Sequence, residues 1–328
     1  MNITTRRAAV RVCLGLLAVA TAPLPALAQA PYPAKAVKIV VPYPPGGTND
    51  TVARLIAQRL GDKTGQPFIV ENKPGASGNL GAEAVARAPA DGYTLLLVTT
   101  GHTIHPSLYK NLRYDITKDL VPVTSLTSGP VLLMVNPGLG INNLKDLIAR
   151  AKSKPGELNF SSAGNGSSTH LGIEALNAEA GIRMTHIPFN GSAPAMMDVI
   201  AGNSQVVMDL MFSAAPQVQG GKLKPIAQTG LKRSSAMPDV PTVAESGLPG
   251  FELLVWNGLM APAGTPKDVI GRLNTEIRQV IESQDFKDRL ASQGYEPVGS
   301  TPEQFGRRIA SDIDRWAKVV KTSGAKAE

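Results

Sequence analysis

Val37-Lys38-Ile39-Val40-Val41-Pro42-Tyr43-Pro44-Pro45-Gly46-Gly47-Thr48-Asn49-Asp50 is the stretch that decides the fold of this chain. A short β-branched run, interrupted only by Lys38, passes into a proline- and glycine-rich turn. The turn opens into a segment where Val52, Leu55, Ile56 and Leu60 share one helical face, and Gly61 stands where a C′ glycine belongs. The order is therefore strand, glycine loop, helix.

The same grammar recurs along the chain. Leu95 to Val98 runs into Thr99-Thr100-Gly101-His102, and Leu158 to Ser161 runs into Ala163-Gly164-Asn165-Gly166-Ser167-Ser168-Thr169 with a helix over 170–180 closed by Gly181. Thr185 to Phe189 leads through Asn190-Gly191 to Ser192-Ala193-Pro194, a cap-then-proline helix start, with Gly202 closing that helix. Strands alternating with amphipathic helices predict an α/β fold. The apolar runs 129–135 and 253–258 read as passages between two lobes, and the last seventy residues as helices over 266–281, 286–293 and 302–320. The expected lobes are residues 29–130 with 255–328, and residues 131–254, each a mostly parallel sheet flanked by helices, with a cleft between them.

Residues 1–28 are expected to be a signal peptide: Arg6, Arg7 and Arg11, then an apolar run over 12–22, then Ala26-Leu27-Ala28 at a cleavage site. Export by the general secretory route is favoured over twin-arginine export, because Ala9 follows the arginine pair where a bulky residue is expected. The one cysteine, Cys13, falls inside this leader, so the mature chain carries no disulfide, cysteine nucleophile or thiolate metal site. Without the leader, 30 basic residues stand against 26 acidic ones, a net charge of +4. That balance, with no Lys/Arg cluster among aromatics, gives no nucleic-acid footprint and only a mild bias toward anions.

The loops carry the chemistry. The first amides of a helix lack partners within it and the aligned peptide dipoles leave about half a positive charge there, so a glycine turn lets backbone hold an anion without Lys or Arg. Two such loops, residues 46–50 and 163–169, are expected to come from different lobes and to bridge a small carboxylate. A side chain at Gly47 is expected to strain the turn and block approach. Asp50 is read as a helix cap or a water-orienting acceptor, and Asp209 equally as a loop charge or as the partner of a ligand amine or hydroxyl. Enzyme signals are weak. The string 164–169 lacks the last glycine of a dinucleotide fingerprint, no G-x-S-x-G or H-E-x-x-H motif occurs, and the four histidines lack metal-ligand spacing. No catalytic residue, metal or cofactor is expected.

Three strings place the chain more narrowly: 41–50 above, Glu71-Asn72-Lys73-Pro74-Gly75-Ala76-Ser77-Gly78-Asn79-Leu80-Gly81, and Ala90-Asp91-Gly92-Tyr93-Thr94-Leu95. With Pro188-Phe189-Asn190-Gly191, residues 238–247 and Ala261-Pro262-Ala263-Gly264-Thr265-Pro266, they resemble the Bug family, the receptors of tripartite tricarboxylate transporters. The resemblance spans essentially the whole mature chain. It implies a type II-like periplasmic binding protein whose lobes close on a carboxylate, a di- or tricarboxylate, an acidic amino acid or an aromatic acid, and present it to membrane permease subunits, most simply as a monomer. Carried over, the ligand-binding positions are Pro45, Gly46, Gly47, Thr48 and Asp50, then Ala163, Gly164, Ser167, Ser168 and Thr169, with Thr100, His102 and Asp209 lining the same cleft. Tyr43 is the nearby aromatic. The sequence departs from the family where Asn190 replaces a frequent lysine and where His105-Pro106 replaces asparagine-proline. An exported sensor subunit is the rival reading, and an exported hydrolase a remoter one.

Overall fold

The computed structural model describes residues 32–291 and 294–325; the expected leader, with Cys13, lies outside the described residues. From Lys35 onward the chain forms one unit. Its first strand, β1 (Val37–Val41), lies between β2 (Phe68–Asn72) and β3 (Thr94–Thr99), parallel to both. Helices α1 (Thr48–Thr64), α2 (Asn79–Ala86) and α3 (Thr100–Leu108) supply or follow the crossovers that parallel pairing demands. Helix α1 runs past Gly61, contrary to the sequence reading, and is closed by Gly65 at φ 70°. Gly61 stays inside the helix, and its carbonyl accepts the N–H of Gly65, the glycine that takes the left-handed conformation.

The second group of strands repeats this plan. Strand β5 (Asn159–Ser162) pairs in parallel with β6 (Thr185–Pro188) and β7 (Val206–Leu210). Its helices are α4 (Leu144–Ser153), α5 (Ser168–Ala180), α6 (Ser192–Ile200) and α7 (Met211–Gln219). The two groups are joined by β4 (Leu120–Val135), 16 residues long, and β9 (Leu254–Pro262). Residues 120–130 of β4 pair with β9, and residues 131–135 pair with β7 and with β8 (Lys224–Gln228). The passages expected at 129–135 and 253–258 are thus parts of longer antiparallel strands, which makes the sheet mixed, with its parallel pairs at the outer strands.

Helices α8 (Lys267–Ile281), α9 (Gln284–Ala291) and α10 (Pro302–Ser323) follow, with the short β10 (Glu296–Pro297) pairing to β4. Each group has its own core. Val40, Leu96, Val98, Trp256, Met260 and Phe305 form one, and Leu132, Met134, Val199, Val207 and Met211 the other. Full burial of each such side chain is worth about 1.5–3 kcal/mol. Helix α10 docks on β9 at Gly258, where an added Cβ would lie 2.3 Å from the Phe305 ring, so that crossing requires glycine. The result is the expected two-lobed α/β architecture.

Candidate functional site

The loop before α1 is built around Asp50, which is 4% exposed. Its Oδ2 accepts the Gly46 N–H and the Arg54 Nε–H, both at 2.9 Å, and its Oδ1 accepts Asn72 Nδ2 at 2.9 Å. Burial alone would raise the carboxyl, but the Arg54, Gly46 and Asn72 hydrogen bonds outweigh it and hold Asp50 below the usual range. Asn72 also donates to the Tyr43 carbonyl at 3.1 Å. Both carboxylate oxygens and the Gly46 amide are therefore committed to the scaffold. What remains is the end of α1: its cap residue Gly47 supplies no side-chain acceptor, and the Gly47, Thr48 and Asn49 amides have no acceptor among the described residues. Such first-turn amides are open to solvent or to a ligand. The strain expected at Gly47 is absent. Gly47 sits at φ −81° with open space around a would-be Cβ, whereas Gly46, at φ +86°, is the residue whose backbone favours glycine.

The second loop is more occupied. Ser167 caps α5 by accepting the His170 N–H at 3.1 Å, and Thr169 Oγ1 accepts the Ala163 N–H at 3.3 Å. The Gly164 amide goes to Ser162 Oγ, the Gly166 amide to His170 Nδ1 and the Ser167 amide to the Gly164 carbonyl. The amides of Ser168 and Thr169 are left without an acceptor among the described residues, again at a helix start. Beneath the loop, His170 and His186 stack at 3.7 Å, with Phe160 on the His186 ring and Ser162 Oγ 2.6 Å from His186 Nε2.

A file of rings joins the two loops. Tyr43 hydrogen-bonds Thr99 Oγ1 at 2.8 Å and meets His102 edge-on; His102 adjoins His105, which meets Tyr109 edge-on at 5.2 Å. The Tyr109 hydroxyl and Ser77 Oγ then donate to the Asn165 carbonyl at 3.4 and 3.3 Å. His102 Nδ1 accepts the Thr99 N–H at 3.1 Å as half of a capping box on α3, so its proton sits on Nε2. Burial pushes His102 down to about 4. His102 and Thr100 therefore shape the wall from behind: Thr100 is 2% exposed and its Oγ1 accepts the Trp256 N–H at 2.9 Å. Pro45 and Asn190 are exposed at the turns preceding α1 and α6.

Asp209, next to last in β7, is almost fully buried; burial pushes its carboxyl up, and its Oδ2 has no hydrogen-bond partner. Sequence reasoning missed Tyr295, Asn257 and Ser128. Tyr295 interacts with the Thr48 side chain, Asn257 Nδ2 reaches Asn49 Oδ1 at 3.5 Å, and Ser128 Oγ is buried without a partner. The signal for Asn257 was polarity inside a strand otherwise apolar, whereas Ser128 stands in a run with Thr124, Ser125 and Thr127 that reads as loop. Among the described residues no cluster of three or more His, Cys, Asp or Glu could hold a metal, and no helix is long and apolar enough to cross a membrane.

Comparison with known proteins agrees with this architecture. The family model described as the tripartite tricarboxylate transporter family receptor, TctC, matches residues 52–325. Protein BugT of Bordetella pertussis is 39% identical over 297 residues, covering 90% of this chain and 91% of that protein. Among solved structures, R. palustris Rpa4515 with adipate has TM-score 0.84 at 37% identity, covering 90% of this chain and 99% of the other. MatC from Rhodopseudomonas palustris with bound malate has TM-score 0.81 at 34% identity, covering 88% and 100%.

Proposed function

Because the chain belongs to the tripartite tricarboxylate transporter receptor family, a family of periplasmic solute-binding proteins, we propose that it captures a small carboxylate and hands it to the permease subunits of such a transporter. The observation that carries this reading is the bare end of α1, where three consecutive amides lack acceptors. With the helix dipole behind them, those amides suit a carboxylate oxygen, and the Thr48 hydroxyl adds a donor. The Ser168 and Thr169 amides supply a similar end from the other lobe. Relatives solved with adipate and malate support the ligand class.

The site is then Tyr43, Pro45, Gly47 and Thr48 from one lobe and Ala163, Gly164, Ser167, Ser168 and Thr169 from the other, with Asn190 and Asp209 at its margin. Gly46, Asp50, Thr100 and His102 act by holding these in place. The lobes are residues 29–130 with 255–328, and residues 131–254, hinged where β4 and β9 cross. On this reading the protein returns its ligand unchanged.

Calorimetry on the purified protein with mono-, di- and tricarboxylates tests this, with native mass spectrometry to weigh any ligand retained through purification. Saturable one-to-one binding of at least one carboxylate is expected, with the ligand recovered intact by NMR. A folded protein that binds none of the set would overturn the reading, and turnover of the ligand would overturn its non-enzymatic part.

A further inference from the structure

Three elements meet at a buried polar group that the glycine loops do not account for. The first is Asp209 at the end of β7, 1% exposed. Its Oδ1 accepts the Leu210 N–H at 2.7 Å and the Ser213 hydroxyl at 2.6 Å, which fully serves the turn into α7. Its Oδ2 is equally buried, and no donor reaches it in hydrogen-bonding geometry, although the Ser192 hydroxyl leans toward the carboxylate. A buried acceptor left bare is costly, so this oxygen marks a place where a donor is missing.

The second element is Tyr295, 4% exposed. Gly294 before it adopts φ +74°, and the space a Cβ would need is filled by Met211 at 2.7 Å. On the other side, the Tyr295 ring lies 3.0 Å from where a Cβ on Gly129 would stand. The backbone just before Tyr295 therefore packs on Met211 at the start of α7, two residues beyond Asp209, and the ring itself packs on β4 at Gly129. The third element is Thr48, the first residue of α1, whose side chain lies beside the Tyr295 hydroxyl, with the Asp209 carboxylate near that same hydroxyl. A helix end that seeks an anion and a carboxylate oxygen that seeks a donor thus stand on two sides of one fixed phenol.

We propose that this group selects among carboxylates: the α1 amides take the carboxylate, and Asp209 with Tyr295 takes a hydrogen-bond donor, a hydroxyl or an ammonium, carried close to it on the same ligand. The inference rests on the receptor reading above and narrows it. A ligand with such a donor satisfies Oδ2, whereas an alkyl chain of the same length leaves a buried acceptor unpaired. Discrimination against the ligand lacking the group is then strong.

The test is calorimetry on the full chain with succinate, malate and aspartate, which share a four-carbon skeleton and carry hydrogen, hydroxyl or ammonium at C2, alongside adipate and citrate. Malate or aspartate should bind at least about tenfold more tightly than succinate. Which of the two wins distinguishes hydroxyl from ammonium. In Asp209→Asn, the side-chain oxygen is held at the Oδ1 position by its two donors, so the amide NH2 falls where Oδ2 was and opposes a ligand donor. The preference, measured as a ratio within the variant, should fall below about threefold or reverse. Tyr295→Phe, which keeps the packed ring, should also lower it, and decides the matter if Asp209→Asn does not fold by circular dichroism. If carboxylates bind without donor preference, or the preference survives in the folded variants, this inference falls and the receptor reading stands. If no carboxylate binds, both fall.

Discussion

At Asp50 a buried carboxylate collects the Gly46 amide, Arg54 and Asn72, so a residue whose type and place suggest a ligand contact is consumed by the loop it stands in. The Arg54 side chain is about half exposed, so most of the worth lies in the other two bonds. Asp50→Ala should therefore cost about 1–3 kcal/mol in urea unfolding, because the Asn72 amide and the Gly46 N–H lose their acceptor. Its folded pKa is depressed, so this stabilisation is present above the unfolded carboxyl pKa and is lost as pH falls through the folded one. The neighbouring glycines separate conformation from approach. Gly46→Ala at φ +86° should cost about 1–2 kcal/mol, while Gly47→Ala, in open space at φ −81°, should leave the unfolding midpoint unchanged. If Gly47→Ala also leaves carboxylate affinity unchanged, the ligand does not approach the backbone there.

Between β5, β6 and α5, the stack of Phe160, His186 and His170 supports the second loop with two neutral imidazoles. Burial pushes His186 to about 4 and His170 to about 3, the second helped by His186 beside it. Glu174, 3.9 Å from His170 Nε2, is itself pushed up by burial and offsets little. Both histidines have folded pKa values below the unfolded value near 6.5, so unfolding takes up protons and stability falls as pH drops from about 6.5 toward about 4. His186→Phe keeps a ring in the stack and removes one titration; its stability measured from pH 7 to pH 4.5 should fall less steeply than the parent's. Equal slopes would show that the stack does not stay neutral.

The glycine-punctuated strand-to-helix turns were legible because β-branched runs and helix starts leave local marks, and the helix over 302–320 was found nearly entire. Strand β4 was read only at its apolar end. Its first half carries Pro122, Thr124, Ser125 and Thr127, which look like loop, but the three hydroxyl residues are buried because β9, α8 and α10 cover that stretch. Tyr295 left no mark, since its place depends on Gly129 and Thr48, both distant in sequence.

Over the whole molecule, β4 and β9 couple the lobes, and the register of their pairing shifts twice, between Pro122 and Thr124 and between Ser125 and Thr127. Such irregularities bend a strand pair and raise its local twist. Across the cleft the lobes meet at Gly166, where a Cβ would lie 2.4 Å from Leu108, and at the Asn165 carbonyl, held by Ser77 and Tyr109. Those two hydrogen bonds, at 3.3 and 3.4 Å, are long, so they make a weak latch that a bound ligand must reinforce. Small-angle scattering should show the radius of gyration falling when a saturating ligand is added. Tyr109→Phe, which deletes one bond of the latch and keeps the ring, should leave the ligand-free form more open and weaken binding by about threefold to tenfold, since the ligand must then drive more of the closure. Gly166→Ala should have the larger effect, because it combines φ +75° with a direct clash against α3. If the parent's scattering curves with and without a verified ligand superimpose, and Tyr109→Phe binds as the parent does, the crossing strands are not a hinge and the cleft is preformed.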